Sequence, residues 1–262
     1  MIAIVAALDA ELSALERRAR VRRYPSPPWP LMGEGTLAGR QVLLARTGMG
    51  SARAQKATAV LIQRHNPEAI LSIGFAGSLV SELRAAHLVI ARQVYALDDS
   101  LHEGPLTVSN GLACDPALVE LAVAAARQRR LAFRERASLT VPQLVSQPEV
   151  KERIGDSVPV EMVEMESYWV GRVAADQGIP FLVARAVLDE VGDHLPDLAN
   201  VIDETGAIAR GRALRQFLSR PREAPALIHL AASARRASQT LAAFVEAFVD
   251  LFAASDWPER QQ

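Results

Sequence analysis

The chain repeats one kind of unit: a short apolar run of strand length, a junction of glycine or acidic residues, then a helical pattern. Strand-like runs fall near residues 2–7, 41–46, 69–73, 88–95, 137–141, 159–163 and 180–187, and helical patterns near 9–20, 51–65, 115–130 and 166–177. Unbroken apolar runs suit strands covered on both faces, and parallel strands need crossover helices to join them. The alternation predicts an α/β fold: a three-layer α/β/α sandwich around a mixed, mostly parallel β-sheet. Ligands in such sheets sit beyond the carboxyl ends of the strands, so the junctions are where chemistry is expected.

At 262 residues, with 50% hydrophobic and 23% charged residues, the chain can bury one sizeable core. A single domain is expected, with its core at about 1–200 and a helical extension at about 205–255. The net charge of -1 makes no electrostatic case for nucleic acid. One cysteine, Cys114, excludes an intrachain disulfide framework, and His65, His87, His102, His194 and His229 lack ligand spacing, so neither metal nor cofactor is expected. The opening MIAIVAAL is too short for a membrane span and lacks the basic start of a signal peptide; it reads as the first strand of a cytoplasmic protein. Residues 24–30, YPSPPWP, read as a proline-rich connector within the domain.

The densest chemistry lies at 161–197. Glu164, Met165 and Glu166 should stand where a strand passes into a helix, and Arg185 and Asp189 should leave the run Phe181-Leu182-Val183-Ala184 at its carboxyl end. Taken alone, an Arg four residues before an Asp also suits a surface ion pair, and a Glu at a helix start also suits dipole compensation. Two glycine segments, Gly48-Met49-Gly50 and Gly74-Phe75-Ala76-Gly77, could aim backbone amides at a ligand or serve as tight turns. Neither is a dinucleotide fingerprint.

Four blocks together resemble the purine nucleoside phosphorylase superfamily, and most of all its 5′-methylthioadenosine/S-adenosylhomocysteine nucleosidase branch. They are IAIVAALDAEL at 2–12, TGMGSARAQKAT at 47–58, SIGFAGSL at 72–79, and VEMES at 163–167 with RAVLD at 185–189. The resemblance implies cleavage of the N-glycosidic bond of a purine nucleoside, a small-molecule partner, and a homodimer. Breaking that bond leaves positive charge on the sugar and negative charge on the base, which calls for an acid at the base and negative groups near the ribose. By the same resemblance Asp189 is the acid, and Glu11, held by Arg185, positions the attacking water. Glu166 and Glu164 would face the ribose hydroxyls with Met165 packed beside them, while Met49, Phe75, Ala76 and Gly77 line the pocket. Leu144 and the Val145 backbone would cover and read the base.

Hydrolysis is expected over phosphorolysis because Ser72 stands where phosphorolytic relatives carry an Arg, and a hydroxyl cannot replace a guanidinium as a clamp for a dianion. Arg46, Arg53 and Lys56 could supply cations from the other loop, so a phosphorylase stays an alternative, as does a non-catalytic nucleoside-binding protein. Leu188 replaces the small hydroxyl residue that usually precedes the acid, and Leu144 replaces a stacking Phe; adenine is favoured as the base. Beyond residue 200 the longer C-terminus resembles the hopanoid-associated phosphorylase-like subgroup, which implies release of adenine from an adenosylated triterpenoid. There Leu230, Ala234, Ala237, Leu241, Phe244, Phe248 and Leu251 recur at three and four, predicting a helix over 226–252 that packs on its own sheet or a sister subunit, or rests weakly on a membrane surface.

Overall fold

A computed structural model of the chain describes residues 1–23, 31–97, 104–196 and 224–255. The proline-rich connector, residues 98–103 and the first part of the expected C-terminal extension, up to residue 223, lie outside these residues. In chain order the elements are β1 (Ile2–Ala6), α1 (Asp9–Arg18), β2 (Arg22–Arg23), β3 (Leu31–Leu37), β4 (Arg40–Arg46), α2 (Ser51–His65), β5 (Ala69–Ser78), β6 (Leu88–Ala96), β7 (Leu112–Ala113), α3 (Pro116–Gln128), β8 (Phe133–Thr140), α4 (Pro148–Ser157), β9 (Met162–Glu164), α5 (Ser167–Asp176), β10 (Phe181–Asp189) and α6 (Ala224–Ala254).

All ten strands join one mixed sheet, with β4, β1, β5 and β10 parallel through its middle. Their side chains are almost wholly apolar and buried, as the unbroken hydrophobic runs require. Helices α1, α3 and α6 cover one face and α2 and α5 the other, giving the expected three layers. Antiparallel pairings are as numerous as parallel ones, because β10 pairs β6 antiparallel and β9 returns antiparallel onto the end of β5. Since β5 also pairs β10, the strands β5, β10, β6, β8 and β9 close into a ring. The ring draws the carboxyl ends of β5, β9 and β10 together, which no pairwise pattern in the sequence specifies.

Two elements absent from the sequence-based expectation have simple physical reasons. β3, with glycine at 33 and 35, has a weak strand propensity, yet it pairs β4 along its full length, and a Cβ at Gly35 would approach Val21 Cγ2 at 3.3 Å. α4 begins with Pro148, which suits a first helical position, and its buried face is set by Lys151 and Ile154, so a charged side chain stands where an apolar one is sought.

The C-terminal helix α6 belongs to the core. Ala237, Leu241, Phe244 and Phe248 are buried against α1, α3 and β10, and the rings of Phe244 and Phe248 lie 5.8 Å apart. Glu246 fastens the helix at its edge, accepting from Arg18 at 3.0 Å and Arg129 at 2.9 Å. By length and composition α6 could cross a membrane, but 56% of its most apolar stretch is buried within the protein, which marks it as a core helix. Truncating Phe244 to alanine removes a fully buried ring from the junction of three elements; we expect a loss of about 3–5 kcal/mol, measured by urea unfolding.

Candidate active site

The centre of the site is an ion pair sealed from water. Arg185, on β10, and Glu164, at the end of β9, meet at 3.0 Å with side chains 2% and 1% exposed. Glu164 Oε2 also accepts the amides of Glu166 and Ser167 at 3.0 and 2.8 Å, satisfying donors that the start of α5 would otherwise leave orphaned. Its Oε1 accepts the Thr140 hydroxyl, whose oxygen in turn accepts the Tyr168 amide at 2.9 Å. Three of these donors fall on Oε2 and one on Oε1, so Glu164, expected among the sugar-binding groups, orders the junction through Oε2 and keeps acceptor capacity only on Oε1.

Arg185 Nη2 further donates to Ser167 Oγ at 2.7 Å and Ser72 Oγ at 3.1 Å. It does not pair with Glu11, so the expectation that Arg185 holds Glu11 is corrected. Glu11 is fixed instead by backbone: its Oε2 accepts the amides of Ala7 and Leu8, and its Oε1 that of Phe75, each at 2.8 Å. Burial pushes the Glu11 carboxyl above its ordinary range, while the nearby Arg185 charge and the three amides pull it back. The arrangement requires glycine at 74, where a Cβ would sit 2.7 Å from Glu11 Oε1 and 3.0 Å from Arg185 Nη1. Arg185 Nη1 and Nε, both buried, find no hydrogen-bond partner among the described residues.

Glu166 lies half-buried across from this group. Its Oε1 accepts the amide of Gly50, whose φ of 91° suits glycine alone and turns that amide out of the loop before α2. Burial, then the charges of Glu164 and Glu11, push the Glu166 carboxyl up to about 8. Met165 packs partly into the second core, and Met49 is half-buried beside Gly50.

Asp189 closes the other end. A bulge between Val187 and Asp189 sets Asp189 opposite Gly77, while Arg185 stays opposite Gly74. Three residues of strand separate Gly74 from Gly77, about 10 Å. Phe75 and Ala76 lie between them, half-buried and buried respectively. A Cβ on Gly77 would stand 3.0 Å from Asp189 Oδ2. That oxygen is taken by the ammonium group of Lys151, a side chain with no exposure, which also donates to the carbonyls of Glu190 at 2.7 Å and Asp193 at 3.2 Å. Burial raises the Asp189 carboxyl to about 6 despite the cation.

Sequence reasoning did not find Lys151, Thr140 or Ser167 as parts of the site. Lys151 left one trace: with Ile154 and Val158 it occupies the i, i+3, i+7 face of α4, where a lysine is out of place. Thr140 and Ser167 left none, since small hydroxyl residues suit strand ends and helix starts anyway. Around the expected base-covering segment, Val145 is buried in the second core, while Leu144 is 47% exposed. Cys114 is buried, its thiol pushed up to about 12 by desolvation, and is not a nucleophile.

The chain belongs to the phosphorylase superfamily, whose family profile matches residues 1–220. Among curated relatives, the 5′-methylthioadenosine/S-adenosylhomocysteine nucleosidase of Tolumonas auensis is 28% identical over 203 residues, 74% of this chain and 88% of the relative. The enzyme of the same name from Staphylococcus epidermidis is 24% identical over 200 residues, 72% of this chain and 86% of the relative. Among solved structures, futalosine hydrolase of Helicobacter pylori superposes with a TM-score of 0.73 at 21% identity, covering 95% of this chain and 97% of that one. The Neisseria meningitidis 5′-methylthioadenosine/S-adenosylhomocysteine nucleosidase in complex with methylthio-immucillin-A gives 0.72 at 22% identity, covering 95% and 98%. The α/β fold expected from the sequence is the fold of these proteins.

Two outcomes follow from the geometry. Gly74→Ala forces a methyl group into Glu11 and Arg185, and we expect about 1–3 kcal/mol of lost stability by denaturant unfolding. Glu166 holds its proton in the folded state to about pH 8, whereas the unfolded chain releases it near the ordinary carboxyl value. Its stabilising effect is complete below pH 4.5 and is lost as pH rises to about 8, so Glu166→Gln should flatten the fall in urea midpoint across that interval.

Proposed function

We propose that this protein cleaves the N-glycosidic bond of a purine nucleoside bearing a 5′ substituent, with adenine the favoured base and water the nucleophile. The observation that carries the reading is the placement of Glu11 and Asp189 at opposite ends of the glycine strand, about a nucleoside's length apart, with Glu166 beside the first. Asp189 gives its proton to the purine N7. The electron pair of the C1′–N9 bond leaves with the now neutral base, and the ribose carries the positive charge until water adds at C1′. Glu11 accepts the proton that this water loses, held in place by its three amides. Ribose hydroxyls donate to Glu166, and such bonds favour its ionised form. Proton delivery by Asp189 needs the protonated acid, so base release should decline as pH rises through about 6.

Water is preferred to phosphate because Ser72 is buried and bound to Arg185, and because Arg46 is already paired with Asp9. One observation favours phosphorolysis as a second reading: Arg185 presents two buried donors without partners near Glu11, a place where an anion could bind. The relatives named as methylthioadenosine/adenosylhomocysteine nucleosidases support a thio-substituted 5′ carbon, while the looser likeness of the C-terminus to the hopanoid-associated subgroup supports an apolar one. A homodimer in the cytoplasm is part of the proposal, with α6 free for weak membrane-surface contact only along its exposed amino-terminal half.

The test is a panel of methylthioadenosine, adenosylhomocysteine and adenosyl-lipid analogues incubated with and without phosphate, following free base by chromatography. We expect phosphate-independent release of adenine. Sugar phosphate among the products would establish the second reading, and binding without turnover would establish a non-catalytic role. Asp189→Asn should retain nucleoside binding and slow cleavage by about two orders of magnitude or more.

A further inference from the structure

Lys151 is the only lysine among the buried polar and charged side chains of the described residues, and it is spent wholly on the neighbourhood of the acid. An ammonium group has three protons, and here three acceptors take them: Asp189 Oδ2 and the carbonyls of Glu190 and Asp193. Both carbonyls can only accept, so the arrangement fixes the nitrogen against one oxygen of the acid. Asp189 is thereby made asymmetric, with Oδ2 bound to a cation and Oδ1 not.

We propose that Lys151 is the positioning residue of the general acid: it occupies Oδ2, so that the proton passed to the base is carried on Oδ1, and it stabilises the carboxylate that remains after transfer. The step balances without another reactant. The O–H bond at Oδ1 breaks, an N–H bond forms on the purine, and the negative charge left on Asp189 faces the lysine ammonium. Lys151 does not reach the base itself, since its donors are all committed. The idea rests on the activity proposed above and adds to it the group that sets the acid's strength.

The other charges around Asp189 support this assignment. Asp193, in the turn after β10, opposes the ionised form of Asp189, and its carboxylate is turned to the Glu190 amide at 2.8 Å. Glu190 directs its own carboxylate away, to Arg84 at 2.7 Å and the Ala85 amide at 3.1 Å. From β5 and β9 the neighbours are Gly77 and Val163. Among the described residues Lys151, from α4, is the one cation facing the acid, opposed by burial, which favours the neutral form.

The experiment is the pH profile of kcat/KM for wild type and Lys151→Met, with Asp189→Asn and the double variant assayed beside them. Without the cation the acid holds its proton more tightly. The alkaline limb should therefore move up by about one pH unit or more, while the plateau rate falls about tenfold or more because the departing proton leaves an unsupported anion. A lysine that merely fills space would lower the rate without moving the limb upward, and an unmoved limb overturns the proposal. On the Asp189→Asn background, adding Lys151→Met should change the residual rate by no more than about twofold, since Lys151 acts only through the acid. A further tenfold loss there overturns it too. Replacing both partners leaves no unpaired buried charge, so the double variant decides the matter even if Lys151→Met alone does not fold. Wild type that releases no base from any nucleoside overturns the activity and this role together; an active wild type with an unmoved limb overturns this role alone.

Discussion

The site depends on the buried pair of Arg185 and Glu164. Neither charge could remain in so dry a place alone, because removing one partner of such a pair leaves an uncompensated ion costing about 3–5 kcal/mol. The pair is tolerated because it is surrounded by dipoles: two amides at the start of α5, and the hydroxyls of Thr140, Ser167 and Ser72. Through these partners it ties β5, β8, β9, β10 and α5 into one unit. The candidate site carboxylates are then set at the ends of elements that cannot shift independently.

That framework explains why acidic groups so near one another are stable. Glu11, Glu164 and Glu166 crowd one end of the glycine strand, and full ionisation of all three would be opposed by mutual repulsion. The structure resolves the conflict unevenly. Glu164 takes a cation and three further donors, Glu11 takes three amides, and Glu166, with one amide, keeps its proton up to about pH 8. Glu166 is the carboxylate of the three with the fewest internal partners. At the far end Asp189 is handled differently, with burial and a single cation in balance.

Much of this was legible beforehand, for particular reasons. Residues 69–73 and 180–187 could be read as buried strands because they are continuous runs of apolar residues, and α6 because Leu241, Phe244 and Phe248 recur at helical spacing. Asp189, Glu166 and Glu11 could be singled out as candidates because acids at strand-to-helix junctions are chemically conspicuous and their blocks carry a family likeness. The glycines at 74 and 77 were visible as a motif, but their reason was not: each clears space for a carboxylate from another element. The internal partners of Glu164 were not legible because they come from three separate segments, at Thr140, at Glu166 and Ser167, and at Arg185. Lys151 passed unnoticed because a lysine on a short, polar helix looks like a solvated residue until the helix is docked.

The amino-acid sequence by itself determined the secondary elements, the α/β class and the chemical types gathered at 164–189, since periodicity, apolar content and turn residues act over a few neighbouring positions. Tertiary structure alone decided which carboxylates meet a cation, which are held by amides and how many partners each has. Those assignments follow from the closure of the ring of β5, β10, β6, β8 and β9 and from the bulge before Asp189, both of which bring together groups far apart in the chain. Electrostatics in a buried site depends on distances of a few ångströms and on exclusion of water, and neither exists until the elements have packed.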